Sequence, residues 1–221
     1  MGTPPIDRTV IVAITGGSGA GKTTVADALA ASLAPLSVVL LREDDYYNDN
    51  AATPGFDAAS FNFDHVDARD HRLLAEHLAA LKAGRAIDMP HYDFVLHGRR
   101  PERRRLEPAQ VIIIEGTHVL HPPSLRALYD LALYLDVPDD IRLTRRIRRD
   151  VAERGRSVET VMAQYLGTVR PMHYRFTDPG RMHAHVIGFD DAVATDDAAQ
   201  MEKLREMVTA FADTIRKRLR D

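Results

Sequence analysis

The segment GGSGAGKT at residues 16–23 constrains the fold of this chain more than any other part of the sequence. It satisfies the pattern GxxxxGK[ST], follows the apolar run TVIVAI at 9–14 and opens the helix-like segment KTTVADALAASLA at 22–34. In such a segment backbone N–H groups and a helix N-terminus bind phosphate, the lysine reaches the terminal phosphates, and the next hydroxyl can ligate Mg²⁺. We therefore predict a phosphate-binding loop, here called the P-loop. Its predicted nucleotide-binding residues are Gly16, Gly17, Ser18, Gly19, Ala20, Gly21, Lys22, Thr23 and Thr24.

Short apolar runs alternate with segments of helical period along the chain. The apolar runs lie at 9–14, 37–41, 111–114, 131–137 and 185–189, and the helical segments at 22–34, 67–84, 139–155 and 201–220. Each run is too uniformly apolar for a strand with one exposed face, which indicates strands covered on both sides. Gly84 and Gly155 are suited to end their helices. The pattern predicts a P-loop NTPase-like α/β fold with a doubly wound parallel sheet and ligands at the carboxyl ends of its strands.

Two stretches interrupt this alternation. Residues 86–110 predict an inserted β-hairpin, which we call the insertion. Residues 154–180 are rich in arginine and form an excursion suited to close over a site, which we call the lid. We predict a single domain over residues 1–221 that carries both additions.

Composition and charge narrow the classes of partner. The net charge is only -3 and there is no tryptophan to build stacking platforms, so we expect no nucleic-acid partner. The absence of cysteine removes disulfides and thiolate zinc sites. The N-terminus lacks an apolar signal-peptide core and no apolar run reaches the roughly 18 residues of a membrane span. We therefore expect a cytoplasmic protein without a membrane partner.

A P-loop alone does not distinguish a switch, a motor and a small-molecule kinase. A guanine-nucleotide switch usually needs an NKxD tetrad that recognises the base, and none occurs in the sequence. A nucleic-acid motor should carry long basic and aromatic tracks, whereas the basic clusters here are local. A kinase needs a carboxylate that takes the acceptor's hydroxyl proton, a magnesium ligand, and cations that hold the phosphoryl group.

Two predicted strand ends carry carboxylates of the kind that a kinase needs. The segment REDDYYN follows the buried run SVVLL and offers Glu43, Asp44 and Asp45 near the triphosphate. The pattern alone leaves open which of the three takes part in chemistry. Glu115 ends the run VIIIE, the usual location for an acid that holds Mg²⁺ directly or through water.

Seven arginines lie in RLTRRIRRDVAERGR at residues 142–156. On a helix, Arg142, Arg146 and Arg149 share one face, where they are suited to clamp phosphates and neutralise transition-state charge. A solvated cationic face is the alternative interpretation. The arginines of the insertion at 99–105 are expected to face solvent.

Seven motifs occur in the order GGSGAGKTT, EDDYY, FNFDHVDARD, MPHYDFVLHGR, VIIIEG, DIRLTRRIRRDVAERGR and VMAQYLGTVRPM. Together they resemble the uridine kinase (uridine-cytidine kinase) family in order and spacing, over roughly residues 10–187. The resemblance implies transfer of the γ-phosphate of ATP or GTP to the 5′-hydroxyl of uridine or cytidine. It also implies Mg²⁺ as cofactor, a place in pyrimidine salvage and a homotetramer.

The resemblance also implies a role for each matching position. Asp44 is then the general base with Glu43 and Asp45 as supporting neighbours, and Lys22 and Arg146 act with it in catalysis. The implied nucleoside-binding residues are Asp44, Asp64, Tyr92, Phe94, His97, Arg149 and Gln164. Arg154 and Arg156 are implied to bind ATP, and Thr23 and Glu115 to bind Mg²⁺. The insertion is then the nucleoside side of the cleft.

The sequence departs from the family's pattern at residues 184–191, AHVIGFDD. His185 stands in place of an aspartate, and Gly188, Phe189 and Asp190 stand where the family usually has a Pro-Arg-Gly turn. The stretch is expected near the donor, so the choice between ATP and GTP stays open, as do the uridine–cytidine preference, feedback by CTP or UTP, and the subunit number. The alternatives are a phosphoribulokinase-like or pantothenate-kinase-like enzyme and a P-loop regulatory protein.

Overall fold

Strands and helices alternate along the chain as the sequence pattern predicts. The structure is a computed structural model that describes residues 8–51, 53–189 and 197–221. Its strands are β1 (Val10–Gly16), β2 (Val38–Arg42), β3 (Ile87–Met89), β4 (Tyr92–Asp93), β5 (Gly98–Arg99), β6 (Arg104–Leu106), β7 (Val111–Glu115), β8 (Leu131–Asp136) and β9 (Val186–Phe189). Its helices are α1 (Lys22–Ser32), α2 (His71–Lys82), α3 (Pro123–Arg126), α4 (Asp139–Arg154), α5 (Val158–Gln164), α6 (Arg170–Met172) and α7 (Asp197–Arg220). Short 3₁₀ turns lie at Glu43–Tyr46, Val66–Ala68 and Asp178–His183, and π-helical turns at Tyr165–Val169 and His173–Thr177.

Five strands form one parallel sheet in the order β2, β7, β1, β8, β9. All residues of β1 and β7 are buried, as expected for a sheet covered on both faces. In the register of the sheet, Glu115 of β7 lies opposite both Ile14 of β1 and Arg42 of β2. The P-loop, the turn after β2 and Glu115 therefore emerge side by side at one edge of the sheet.

Helices cover both faces of this sheet. Alternate residues of a strand point to opposite faces, so Val12 of β1 shares a core with Leu29 of α1 and Phe211 of α7. On the other face, Ile11 packs in a core that contains Leu74 of α2. The doubly wound α/β fold that the sequence predicts is confirmed.

The insertion and the lid are attached to this sheet. In the insertion β3 pairs with β6, and β4 pairs with β5, both antiparallel, so two short ladders make up the inserted hairpin. The lid is mainly helical, with α5, α6 and π-helical turns. None of the helices in the described ranges combines the length and the apolarity that a membrane span requires.

Packing of α7 on α1 makes a large contribution to the stability of this core. Phe211 of α7 is buried, whereas Thr209 on the same helix is exposed. Phe211→Ala should lower the free energy of unfolding by about 3–5 kcal/mol, because it removes a buried ring and leaves a cavity. Thr209→Ala should change it by less than about 0.5 kcal/mol. Urea unfolding of both variants tests this, and equal effects would contradict it.

Candidate active site

The P-loop is enclosed by residues of α4. A Cβ atom at Gly17 would overlap the guanidinium of Arg142, and one at Gly19 would overlap the Arg142 carbonyl oxygen. Gly19 also has a φ of +84°, a conformation that side chains disfavour. Glycine at these two positions therefore lets α4 pack directly against the phosphate-binding backbone.

Lys22 lies inside this loop and contacts its carbonyl groups. Its Nζ donates to the carbonyl oxygens of Gly16 at 3.0 Å and Gly17 at 3.2 Å. Burial lowers the pKa of Lys22, while the neighbouring carboxylates of Glu115 and Asp44 act to raise it. The predicted catalytic lysine is therefore held next to two of the predicted site carboxylates.

The two predicted magnesium ligands are brought together at the start of α1. The Thr23 hydroxyl donates to Oε1 of Glu115 at 2.9 Å, and Glu115 is buried. Burial raises the pKa of Glu115, opposed by the charge of Lys22. The described residues contain no cluster of three or more metal-ligating His, Cys, Asp or Glu side chains. One hydroxyl and one carboxylate nevertheless fit Mg²⁺, which takes most of its remaining oxygens from water and phosphate.

Donor-side and acceptor-side candidates line one cavity of about 900 Å³. Of the predicted site residues, it is lined by Gly19, Gly21, Lys22, Thr23, Thr24, Asp44, Phe94, Glu115, Arg149 and Arg154. The cavity is also lined by Asp45, His91 and Arg104, which were not predicted as site residues. The fold therefore connects the P-loop, the turn after β2 and the insertion in one cleft.

The three acids after β2 have different environments. Glu43 is 0% exposed, accepts from the backbone N–H of His118 at 3.0 Å and bonds the His71 ring at 2.7 Å. Burial acts to raise the pKa of Glu43, but the charge of Arg69 and the His71 hydrogen bond outweigh it and hold the pKa well below its usual range. Asp44, with a side chain 56% exposed, lines the cavity. Glu43 is therefore a buried structural anion and Asp44 is open to a ligand.

Asp45 was expected to point away from the site or to support Asp44. It also lines the cavity, and burial raises its pKa. Its position makes it the natural comparison for Asp44 in any test of the general base.

Asp64 is held between the core and the lid. Its Oδ2 accepts from the Thr168 hydroxyl at 2.7 Å, and its carbonyl oxygen accepts from Nε2 of His118 at 3.0 Å. Burial lowers the pKa of His118 to about 3, so this imidazole is neutral at physiological pH. Sequence reasoning missed Thr168, because the pattern of the lid does not show which side chain faces Asp64.

Aromatic side chains of the insertion join others from the turn after β2 and the 56–63 segment. Tyr92 is buried, Phe94 is 59% exposed, and the His97 ring stacks on Phe63 at 4.9 Å between centroids. Tyr47 lies 5.0 Å from Tyr92 and 5.9 Å from Phe63. We call this group, Tyr47, Phe63, Tyr92, Phe94 and His97, the aromatic wall. Phe94 of this group is exposed and lines the cavity, so its flat face can contact a planar base.

Asp150 organises the arginines of α4 and the lid. This fully buried carboxylate lies 2.8–3.7 Å from four guanidinium groups, those of Arg146, Arg149, Arg154 and Arg156. Sequence reasoning did not assign it a role, although only two acids, Asp150 and Glu153, lie among the seven arginines of residues 142–156. The predicted phosphate-binding cations are therefore ordered by one internal anion.

Gln164 is connected to two of these arginines. Its Oε1 accepts from Arg146 and from Arg156, both at 2.8 Å. Arg146 also donates to the hydroxyl of Ser18 in the P-loop at 2.8 Å. Arg146 thus connects Gln164 to the P-loop, and Thr168, which bonds the Gln164 carbonyl oxygen at 3.1 Å, connects it to Asp64.

Two expectations about arginines are wrong. Arg142 is buried, donates to the carbonyl oxygen of Val137 at 3.0 Å and pairs with Asp139, so it supports the P-loop from behind. Arg99 was expected to face solvent, but it donates to the carbonyl oxygen of Tyr47 at 2.9 Å and anchors the insertion. Both satisfy backbone carbonyls that no sequence pattern reveals.

Comparison with known proteins now assigns the family. A family model described as phosphoribulokinase / uridine kinase family matches residues 11–194. The chain belongs to this family. A uridine kinase of Ligilactobacillus salivarius is 41% identical over 215 residues, which are 96% of this chain and 97% of that protein. A uridine kinase of Chloroflexus aggregans is 46% identical over 178 residues, 80% of this chain and 85% of that protein.

Solved structures of the phosphoribulokinase / uridine kinase fold are similar to the chain as well. A possible uridine kinase from Bacillus stearothermophilus has a TM-score of 0.53 at 24% identity, covering 84% of this chain and 91% of that one. Phosphoribulokinase from Rhodobacter spheroides has a TM-score of 0.58 at 14% identity, covering 97% and 99%. At these identities the likeness concerns the fold alone.

The stretch that departs from the family's pattern borders a second cavity. This cavity of about 250 Å³ is lined mainly by apolar residues of the P-loop helix, β8 and α7, and by Gly188. A Cβ atom at Gly188 would lie 2.5 Å from Sδ of Met207, so glycine permits close packing of α7 on β9. Asp190 and Asp191 lie outside the described residues.

Glu43 makes a pH-dependent contribution to stability that can be measured. Because its pKa is lowered on folding, its stabilisation is full at neutral pH and is lost as pH falls below the ordinary glutamate pKa, toward the folded-state pKa. Glu43→Gln should lower the free energy of unfolding by about 3 kcal/mol at neutral pH, and by less in acid.

Urea unfolding at pH 7 and at acid pH measures both values. Glu102→Gln, an exposed change in the insertion, should alter stability by less than about 0.5 kcal/mol at either pH. An equal loss for Glu43→Gln at both pH values would contradict the assignment of a buried anion.

Proposed function

We propose that this chain is a uridine/cytidine kinase, which transfers the γ-phosphate of ATP or GTP to the 5′-hydroxyl of uridine or cytidine. The products are UMP and CMP, formed in pyrimidine salvage. The observation that carries the proposal is the shared cavity, which is lined by both Asp44 and Lys22 of the P-loop. Relatives that are named uridine kinase and match most of the chain support it.

Asp44 acts as the general base in the proposed reaction. It accepts the proton as the O–H bond of the acceptor breaks and the oxygen forms its bond to the γ-phosphorus, while the bond to the β-phosphate oxygen breaks. Phosphoryl transfer needs mainly positioning and charge stabilisation, which Lys22 and Arg146 supply as fixed cations. The contact of Arg146 with Ser18 supports this role, because it sets the guanidinium against the P-loop.

The remaining arginines and the P-loop hold the donor. Arg154 and Arg156 bind its phosphates together with the backbone of residues 16–24. Thr23 and Glu115 would hold Mg²⁺, which neutralises charge on the β- and γ-phosphate oxygens when it is bound. The Thr23–Glu115 hydrogen bond supports this pairing, since it sets two oxygen ligands beside the P-loop.

The acceptor nucleoside lies between Asp64 and the aromatic wall in this proposal. Asp64 accepts from the ribose 2′- and 3′-hydroxyls, and Tyr92 and Phe94 contact the base while His97 reads its 4-substituent. Arg149 and Gln164 complete the site. The Thr168–Asp64 hydrogen bond supports the position of the ribose, because it already places a hydroxyl on this carboxylate.

The proposal includes a cytoplasmic location and a homotetramer. Both come from the resemblance of the sequence motifs to the family. Sedimentation analysis of the purified protein measures the subunit number, and a monomer at assay concentration would remove the tetramer from the proposal.

A panel of acceptors tests the proposed reaction. Purified protein with Mg²⁺ and either ATP or GTP is offered uridine, cytidine, 2′-deoxyuridine, thymidine, ribulose 5-phosphate and pantothenate in parallel. We expect product from uridine and cytidine, and roughly 10–100-fold lower kcat/KM for 2′-deoxyuridine, because Asp64 loses a hydrogen-bond partner. Product from ribulose 5-phosphate or pantothenate alone would contradict the proposal and favour the corresponding alternative kinase. Hydrolysis of ATP or GTP without any phosphorylated acceptor would favour a regulatory protein.

Substitution of Asp44 tests the general base. Asp44→Asn should lower kcat by roughly 10²–10⁴-fold and leave the nucleoside KM nearly unchanged, because the amide fits the site but cannot take the proton. Asp45→Asn is the matched control, since Asp45 lines the same cavity. It should lower kcat much less than Asp44→Asn does. A large loss for Asp45→Asn with a small one for Asp44→Asn would move the base by one residue.

A further inference from the structure

Arg69 is a buried cation that connects the acceptor carboxylate to the aromatic wall. Its side chain is only 5% exposed. Nη2 donates to Oδ1 of Asp44 at 3.0 Å and to the hydroxyl of Tyr47 at 2.6 Å, and Nη1 donates to the carbonyl oxygen of Phe63 at 3.3 Å. One guanidinium therefore contacts the proposed general base, the aromatic wall and the residue before Asp64.

The local backbone fixes the position of Arg69. Tyr47 and Arg69 form an antiparallel bridge, and the segments around them exchange hydrogen bonds. The N–H of Asn48 donates to the carbonyl oxygen of Ala68 at 3.0 Å, and the N–H of Asp70 donates to that of Tyr46 at 2.8 Å. The segment that follows Asp44 is thereby fastened to the segment that carries Arg69.

Arginine has the shape and the charge that these contacts require. Its planar group presents several donors in a fixed fork and stays charged at every accessible pH. Cζ lies 4.3 Å from the centre of the Tyr47 ring, a cation–π contact in addition to the hydrogen bonds. Nε faces Oε2 of the buried Glu43 at 3.6 Å, so the cation lies between two carboxylates.

We propose that Arg69 is a positioning residue of the acceptor site, which holds the Asp44 carboxylate at a fixed distance from the aromatic wall. A nucleoside whose base lies on the wall then brings its 5′-hydroxyl to that carboxylate. The contact occupies Oδ1 of Asp44, whose side chain remains more than half exposed and can still accept the hydroxyl proton. This inference rests on the proposed nucleoside kinase function.

A purely structural role is the competing explanation, because Arg69 also neutralises Glu43. The two roles differ in their dependence on Asp44. A residue that acts by orienting the base loses its effect on turnover once the base is removed, whereas a residue that only stabilises the fold acts equally in both backgrounds.

A double-mutant cycle measures this dependence. The kcat and KM for uridine are compared in the wild-type protein, Arg69→Met, Asp44→Asn and the double variant, with folding of each checked by circular dichroism at the assay temperature. Arg69→Met should lower kcat roughly 10²-fold in the wild-type background, the order of loss that follows small misplacement of a reacting group. In the Asp44→Asn background it should lower kcat by no more than about twofold.

Arg72→Met is the matched control on the neighbouring stretch. Arg72 is exposed and pairs with Glu76 one turn along α2, so its loss should change kcat by less than about twofold. If Arg69→Met does not fold, Arg69→Lys replaces it in the same cycle. Lysine keeps the charge but not the fork, so we expect a smaller loss, roughly tenfold, that again disappears without Asp44.

The outcomes separate this inference from the proposed function. An unchanged kcat in the folded Arg69 variant, or an equal loss in both backgrounds, would overturn the positioning role. A wild-type protein that phosphorylates neither uridine nor cytidine would instead overturn the function itself.

Discussion

Parallel hydrogen bonding among β2, β7 and β1 is the constraint on which the site depends. It aligns Arg42, Glu115 and Ile14 across three neighbouring strands, so the segments that follow them share one edge of the sheet. Slippage of one strand by one residue would reverse which side chains face each core and would remove Glu115 from Thr23. The buried apolar runs therefore fix the relative position of the polar site, although they take no part in its chemistry.

Charge is buried close to this edge in paired form. The helix α4 turns Arg142, Arg146 and Asp150 inward and leaves Val151 41% exposed, the reverse of an ordinary amphipathic helix. Burial of such groups is tolerated only where they are paired and hydrogen-bonded. Asp139 pairs with Arg142, Asp150 pairs with Arg146, and Arg69 and His71 pair with Glu43. The same groups hold the cations and the exposed Asp44 in place around the cavity.

Local patterns made the fold and part of the site predictable from the sequence. The P-loop, the five sheet strands and the acids at strand ends follow from short stretches whose period and composition are sufficient. The environment of Glu43 could not be predicted from a short stretch, because its partner His118 is 75 residues away along the chain. Arg99 was misread for the same reason, because its partner Tyr47 is 52 residues away. The partners of Arg142 and Asp150 lie within six residues along the chain, but the sequence does not show that the fold buries these groups. The roles of the individual site residues remain predictions.

The internal partners of Asp64, Gln164 and Lys22 have a consequence for selectivity. Each of these groups already forms hydrogen bonds within the chain, with Thr168, with two arginines and with P-loop carbonyls respectively. A compound that enters the cleft must exchange these bonds for its own, so its net gain is a difference between two similar sets of contacts. A ligand with one hydrogen-bond donor fewer than the substrate leaves one of these groups better satisfied by the protein's own side chains. Such a ligand binds weakly even where it fits the cavity sterically. These internal hydrogen bonds thus compete with any ligand, and a ligand binds well only if it replaces them with contacts of its own.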